Sequence, residues 1–269
     1  MTAVREREAQ APALPACLEA RLAGRQWWRD TVGESGGAVY RVAAAEEPDL
    51  YLKHGRGVVA QDIVDEMGRM RWLGSRLPVP RVEHFVAMAD EAWLLSAAVG
   101  GRTAYQLMRD DPASCLTVAR LLGLFLRELH GLPVAECPFN SAHPLRLAQA
   151  RRRMAAGEVD EDDFGSAHEG WSAERLWDHM MTLLPLSADP VVSHGDFSLD
   201  NILIDDGAVT GCIDLGRVGI ADRYQDVAIA WDSLAEFGEG TQAAFAAAYD
   251  LGTIDRRKLA FHLCLDEFF

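Results

Sequence analysis

No stretch of this chain approaches the roughly 20 consecutive apolar residues that cross a bilayer as a helix, although 49% of its 269 residues are apolar. The opening residues Met1–Gln10 alternate Arg and Glu without an apolar h-region, so a secretory signal is not expected. Residues 1–12 read as a flexible, solvated tail, and no membrane partner is expected. Paired cysteines are missing as well. Cys17, Cys115, Cys137, Cys212 and Cys264 are scattered, odd in number and never in a CxxC spacing. That argues against a thiolate zinc site and a disulfide framework, and for reduced thiols in the cytoplasm. Basic charge is short too: 26 Lys and Arg against 41 Asp and Glu give a net charge of −15. Nucleic acid needs a basic patch, so it is not an expected partner. Solubility is the plain reading of the acidity, and a cleft that attracts a cationic substrate is the sharper one.

Internal repeats and low-complexity segments are also lacking, and what is present changes character along the chain. Residues 31–42 read as strand, glycine turn and strand around Gly33–Gly37, and 50–53 as a further strand. Residues 62–77 have helical spacing in Ile63, Met67, Met70 and Leu73, ended by Pro78 and Pro80. Strands are expected over 82–86 and 92–96, and Val99-Gly100-Gly101 breaks the pattern as a hinge. Beyond the hinge, helices are expected over 113–131, 145–156, 173–184, 222–235, 241–249 and 256–267. A strand at 191–193 leads to a hairpin, 201–204 with 209–213, about the turn Asp205-Asp206-Gly207. The expectation is a strand-rich region over 1–98 joined to a helix-rich region over 99–269.

The chemistry concentrates in Ser193-His194-Gly195-Asp196-Phe197-Ser198-Leu199-Asp200-Asn201, followed by Asp214-Leu215-Gly216. Phosphoryl transfer asks for one carboxylate at the acceptor hydroxyl and for oxygen donors to magnesium. Asp196 fits the first role, and Asn201 and Asp214 fit the second. Taken singly, each acid reads as a turn or helix cap; their joint spacing around a hairpin is what points to a kinase. His194 is expected to pack in the loop and hold its geometry. Lys53 lies in the apolar strand Leu50-Tyr51-Leu52, where a lysine needs a partner, and Glu66 on the following helix is the natural one. Ser35 and the backbone of its glycine turn suit phosphate, a weak signal by itself. Glu158, Asp160, Glu161, Asp162 and Asp163 form an acidic loop, and Asp266-Glu267-Phe268-Phe269 a second acidic group whose aromatic residues suggest a packed terminus.

Together, His194-Gly195-Asp196 to Asn201, Ile213-Asp214-Leu215-Gly216-Arg217, Ala221-Asp222-Arg223-Tyr224-Gln225-Asp226 and Leu265-Asp266-Glu267-Phe268-Phe269 resemble the aminoglycoside 3'-phosphotransferases. These are bacterial kanamycin and neomycin resistance enzymes. The His-Gly-Asp and Asp-Leu-Gly parts alone would also suit choline, homoserine and macrolide kinases, so a kinase for another small-molecule alcohol is the alternative. The resemblance implies an α+β, protein-kinase-like two-lobed fold. Its antiparallel-sheet nucleotide lobe would be 1–98, and its mostly helical catalytic and aminoglycoside-binding lobe 99–269. It implies ATP and Mg2+, with Asp196 catalytic, Arg217 an active-site arginine, and Asn201 and Asp214 the metal ligands. Lys53 and Glu66 would hold phosphates, Tyr51 would stack on adenine, and Ser96 and Ala98 would lie in the adenine-binding hinge. Asp162, Asp163, Glu236, Asp266, Glu267 and the Phe269 carboxylate would bind the aminoglycoside, in a cytoplasmic monomer or weak dimer. Gly165-Ser166 and Asp232 depart from the family pattern and bear on substrate range.

Overall fold

The computed structural model describes residues 6–31 and 37–269. Ser35 lies outside them, as does most of the glycine turn expected there. The chain divides into two compact units. One is the chain up to Gly101 together with Thr210–Gly216; the other is Arg102–Val209 together with Arg217–Phe269. The contact pattern thus puts the boundary after Gly101 rather than after residue 98, and returns a short later segment to the first unit.

The first unit contains β1 (Glu6–Ala9), α1 (Ala16–Leu22), β2 (Gln26–Asp30), β3 (Ala38–Ala44), β4 (Glu47–Arg56), α2 (Val58–Leu73), β5 (Val82–Ala87) and β6 (Glu91–Ala97). Its sheet has the order β1-β2-β3-β4-β6-β5 and is antiparallel at every pairing. The expected tail over 1–12 needs correcting: Glu6–Ala9 is an edge strand whose register with β2 runs from Glu6 opposite Asp30 to Ala9 opposite Trp27. Arg41 fastens that edge, its Nε 2.8 Å from Glu6 and its Nη1 2.9 Å from Asp49.

Strand alternation decides what this sheet presents to each side. Tyr40 and Val42 on β3, Leu52 on β4 and Trp93 and Leu95 on β6 pack with Leu18, Leu22 and Trp27 in one core. Burying one such leucine contributes about 1.5–3 kcal/mol relative to exposure. Lys53, next along β4, must point to the opposite face. There α2 buries Ile63, Glu66, Met70 and Leu73 on one stripe, so an acid stands in an otherwise apolar row opposite the lysine.

The second unit contains β7 (Arg102–Thr103), α3 (Ala104–Asp110), α4 (Cys115–His130), α5 (His143–Ala156), α6 (Ala173–Thr182), β8 (Pro190–Ser193), β9 (Ile202–Asp205), the start of β10 (Ala208–Cys212), β11 (Gly219–Asp222), α7 (Tyr224–Ala235), α8 (Glu239–Tyr249) and α9 (Arg256–Asp266). Among the elements not read from the sequence are β1, α1, β7, α3 and β11. Helix α3 is started by a capping box in which Thr103 and Gln106 satisfy each other's backbone. Strand β11 ends at Asp222, whose carboxylate accepts the Tyr224 N–H, so the helix expected from residue 222 begins at Tyr224. Helices α4 and α8 approach closely at Gly123, where an added Cβ would sit 2.5 Å from the Phe245 carbonyl oxygen. A second core joins Phe164, Trp177, Phe261, Leu265 and Phe268. It seats the acidic loop and the end of α9 in one apolar cluster.

Candidate active site

In the first unit, Lys53 Nζ lies 2.7 and 2.9 Å from the two Glu66 carboxylate oxygens and 2.9 Å from Asp214 Oδ1. Burial works to lower the lysine pKa, but the charges of Glu66 and Asp214 outweigh it and the net shift is upward. Lys53 is therefore a fixed cation between two acids, one buried and one with its side chain about half exposed. Asp214 adopts φ 62°, a left-handed conformation that is uncommon outside glycine and recurs at functional positions. Tyr51 on β4 stands opposite Ser96 on β6. At the end of β6, the N–H groups of Ala97 and Ala98 donate to the carbonyls of Arg81 and Asp49 at 2.9 Å each.

In the second unit, β8 delivers the chain into the His194–Asn201 loop. The amides of His194 and Gly195 donate to the two oxygens of Asp226, at 2.8 and 2.7 Å. Asp226, wholly buried in the first turn of α7, also meets His130 Nε2 at 2.8 Å, and His130 Nδ1 meets the Tyr249 hydroxyl at 2.7 Å. Burial alone would raise the Asp226 pKa. The hydrogen bond and charge of His130, with the Gly195 amide, reverse that and hold it below the usual carboxylate range. Gly195 is required twice over: its φ is 86°, and an added Cβ would lie 2.5 Å from the Arg217 carbonyl oxygen.

Asp196 follows at once. Its N–H donates to His194 Nδ1 at 3.3 Å, so His194 packs in the loop as expected. Its carbonyl accepts from the Ser198 N–H at 2.9 Å and from Asn201 Nδ2 at 3.0 Å. Spending its amide nitrogen inward leaves Asn201 its Oδ1 for an electropositive partner. The Asp196 side chain is half-buried, and no hydrogen bond reaches its carboxylate among the described residues.

The expected acceptor-side residues fall into two groups. Asp266 Oδ1 lies 3.4 Å from Arg146 Nη2 and 3.6 Å from Arg217 Nη1. Arg217 Nη2 donates to a Phe269 backbone oxygen at 3.4 Å, and its guanidinium lies 5.1 Å from that ring. Glu267 accepts from the Gly165 N–H at 2.9 Å and meets His168 Nδ1 at 2.8 Å. Asp266, Phe269 and Arg217 are thus held in one network, and Glu267 is held separately by the Gly165 amide and His168. Asp162 and Asp163, on the single turn Glu161–Asp163, and Glu236, at the end of α7, are instead exposed, with no cation paired to them among the described residues.

Sequence reasoning missed the tethers: Asp226 with His130 and Tyr249, Arg146, His168, and the buried pair of Lys258 Nζ with Asp222 Oδ2 at 2.7 Å. One signal was available. Lysine occurs only at positions 53 and 258, and both are ion-paired. No cluster of three or more His, Cys, Asp or Glu suited to a metal occurs among the described residues.

Comparison with known proteins gives these units a family. A phosphotransferase enzyme family matches over residues 28–262. Aminoglycoside 3'-phosphotransferases of Escherichia coli and Salmonella typhimurium are 49% and 47% identical to this chain, each match covering 98% of both chains. Among solved structures, an aminoglycoside-3'-phosphotransferase of type VIII superposes with a TM-score of 0.85 at 37% identity, covering 94% of this chain and 97% of its own. APH(3'')-Id of Streptomyces rimosus, solved with ADP and streptomycin, gives a TM-score of 0.76 at 29% identity, covering 93% of this chain and 95% of its own. This chain belongs to the aminoglycoside 3'-phosphotransferase family, with its kinase-like α+β fold.

Proposed function

We propose that this protein transfers the γ-phosphoryl group of ATP to the 3'-hydroxyl of aminoglycosides such as kanamycin and neomycin, and so confers resistance to them. The observation that carries the reading is Asp196: its loop is fastened by backbone hydrogen bonds to a buried acid, while no hydrogen bond reaches its own carboxylate among the described residues. The full-length likeness to 3'-phosphotransferases supports the acceptor, and the ADP and streptomycin bound by the Streptomyces rimosus relative support the substrate pair.

In this reading Asp196 accepts the acceptor hydroxyl's proton as its oxygen forms the bond to the γ-phosphorus and the bond to the ADP oxygen breaks. Lys53, kept cationic and oriented by Glu66, meets the nucleotide phosphates, and its contact with Asp214 is the one free to exchange. Tyr51 stacks on adenine beside the Ser96–Ala98 segment, and Ser35 contributes to the phosphate turn. Asn201 and Asp214 supply the oxygens for Mg2+, which neutralises phosphate charge when bound. Arg217 acts within the site as a further cation. The ammonium groups of the aminoglycoside meet Asp162, Asp163, Glu236, Asp266, Glu267 and the Phe269 main-chain oxygens through charge-assisted hydrogen bonds. The protein works as a monomer or weak dimer in the cytoplasm, where ATP is available; no helix among the described residues is long and apolar enough to cross a membrane. Coupled assays with aminoglycosides that carry or lack the 3'-hydroxyl test the reading. Phosphorylation confined to the former is expected, and turnover of both alike overturns the regiochemistry. Turnover of an unrelated alcohol alone overturns the acceptor class.

A further inference from the structure

Helix α5 reads from its sequence as a basic surface helix, yet Arg146 in its first turns is only 3% exposed. A guanidinium removed from water is stable only when its donors are used. Here they are divided between two places. Nη1 donates to the Gly195 carbonyl at 3.0 Å, the residue immediately before Asp196, and Nη2 reaches Asp266 Oδ1 at 3.4 Å. The guanidinium also lies 4.4 Å from the centre of the Phe269 ring. Burial and the neighbouring Arg217 lower its pKa to about 10, opposed by Asp266 and Asp196, so it stays charged at neutral pH.

Both ends of this bridge have other anchors. The loop is tethered by Asp226, and Gln225 Nε2 donates to the same Gly195 carbonyl at 3.4 Å. The end of α9 is seated by Phe268 in the apolar core. Neither element needs Arg146 in order to exist. Among the described residues, Arg146 alone hydrogen-bonds both the carbonyl behind the Asp196 carboxylate and the acid on the acceptor side.

We propose that Arg146 is a positioning residue of the transfer step. One planar fork fixes the Gly195 carbonyl and the Asp266 carboxylate at a set separation, so that Asp196 and the bound acceptor keep a common register. The inference rests on the roles given above to Asp196 and Asp266. A lysine in its place keeps the charge and much of the volume, but its compact ammonium lacks the fork that spans both oxygens.

The test measures kcat, both KM values and thermal unfolding for Arg146→Lys, Asp266→Asn and the double variant, with kanamycin as acceptor. Arg146→Lys is expected to stay folded and to lose roughly 10- to 100-fold in kcat, the scale on which small misplacement of reacting groups acts. Its KM for ATP should stay within about twofold, and the double variant should lose less than the product of the single losses. Wild-type kcat in Arg146→Lys, a loss that only follows the folded fraction, or an equal rise in the KM for ATP each overturns the role. If Arg146→Lys does not fold, the bridge is structural and the role is likewise overturned. A wild-type enzyme inactive on every aminoglycoside overturns the acceptor assignment itself, and this role with it; an active wild type beside an unaffected Arg146→Lys overturns the role alone.

Discussion

Lys53 in the first unit and the Asp196 loop in the second are held by opposite means. Lys53 is held by side chains, two carboxylates around one ammonium, with Asp214 partly open to solvent. The loop is held through its backbone, by two amides on the buried carboxylate of Asp226 and a carbonyl that takes Arg146 and Gln225. The physical difference suits the tasks. An ion pair of flexible side chains can trade one partner for a phosphate oxygen at little cost. A backbone tethered to groups that never meet solvent cannot move without leaving buried polar atoms unsatisfied. The Lys53 triad is arranged to exchange partners and the Asp196 loop to stay in place, and each half of that comparison can be broken separately.

The largest effect is expected from the Asp196 carboxylate, which no hydrogen bond reaches among the described residues. Asp196→Ala should lower kcat by about 10²–10⁴-fold, the usual cost of losing a general base, while nucleotide binding, measured by calorimetry with ADP, stays near wild type. Retention of more than roughly a tenth of the rate would remove Asp196 from the proton-accepting role, since that is less than the smallest loss such a group normally causes.

Asp226→Asn attacks the tether instead. The amide can accept at one oxygen only and turns an NH2 toward a backbone N–H or His130. Unpairing a buried ionic network of this kind costs about 3–5 kcal/mol, to be read from urea unfolding. Unchanged stability would mean that the loop does not depend on its buried anchor. Lys53→Ala should show the contrasting pattern: a smaller loss of stability than Asp226→Asn, because Glu66, whose pKa burial already raises, can take up a proton once its cation is gone, and a fall of roughly 10- to 100-fold in kcat/KM for ATP, as for loss of one or two charged hydrogen bonds. A large loss of stability with an unchanged KM for ATP would reverse the comparison.

What could be read from the sequence follows the same division. Period-two alternation in β4 placed Lys53 against an apolar background, and the next helix offered one acid at the right phase, so the Lys53–Glu66 pair was readable from local pattern. The contact of Asn201 with the Asp196 carbonyl likewise lies within a short spacing. The tethers were not readable, because each joins residues far apart in sequence. His130 and Asp226 are separated by 96 positions, and Arg146 and Asp266 by 120. Locally, His130 is the last residue of an amphipathic helix and Arg146 one of several arginines on a basic one. Only the contacts of α4 with α7 and α8, and of α5 with the Asp196 loop and α9, show that these side chains are buried. Strand β1 escaped for a related reason: an alternation of Arg and Glu suits an edge strand and a solvated tail equally well, and pairing with β2 decides between them.

The same buried layer gives the smallest predicted effect and one that depends on pH. His262 on α9 is 1% exposed, and its Nδ1 lies 3.2 Å from Gln225 Oε1, the side chain that also reaches the Gly195 carbonyl. Burial, with the charges of Arg146, His143 and Lys258 opposed by Asp226, lowers its pKa to about 3. The folded protein therefore keeps this ring neutral, while in the unfolded chain it titrates near the ordinary value of about 6.5. Above that pH neither state binds the proton, and stability owes nothing to the difference. As pH falls below 6.5 the unfolded state takes up a proton that the folded state refuses, so stability declines, by at most about 1.4 kcal/mol per pH unit. His262→Asn, which retains a donor toward Gln225, should remove this contribution. Urea unfolding at pH 7.0 and at about pH 5.5 should show wild type losing up to ~1 kcal/mol more than the variant over that interval. Equal losses would mean that the ring gains solvent or a proton acceptor in the folded state. The layer behind the Asp196 loop would then be less closed than the Lys53 contrast requires.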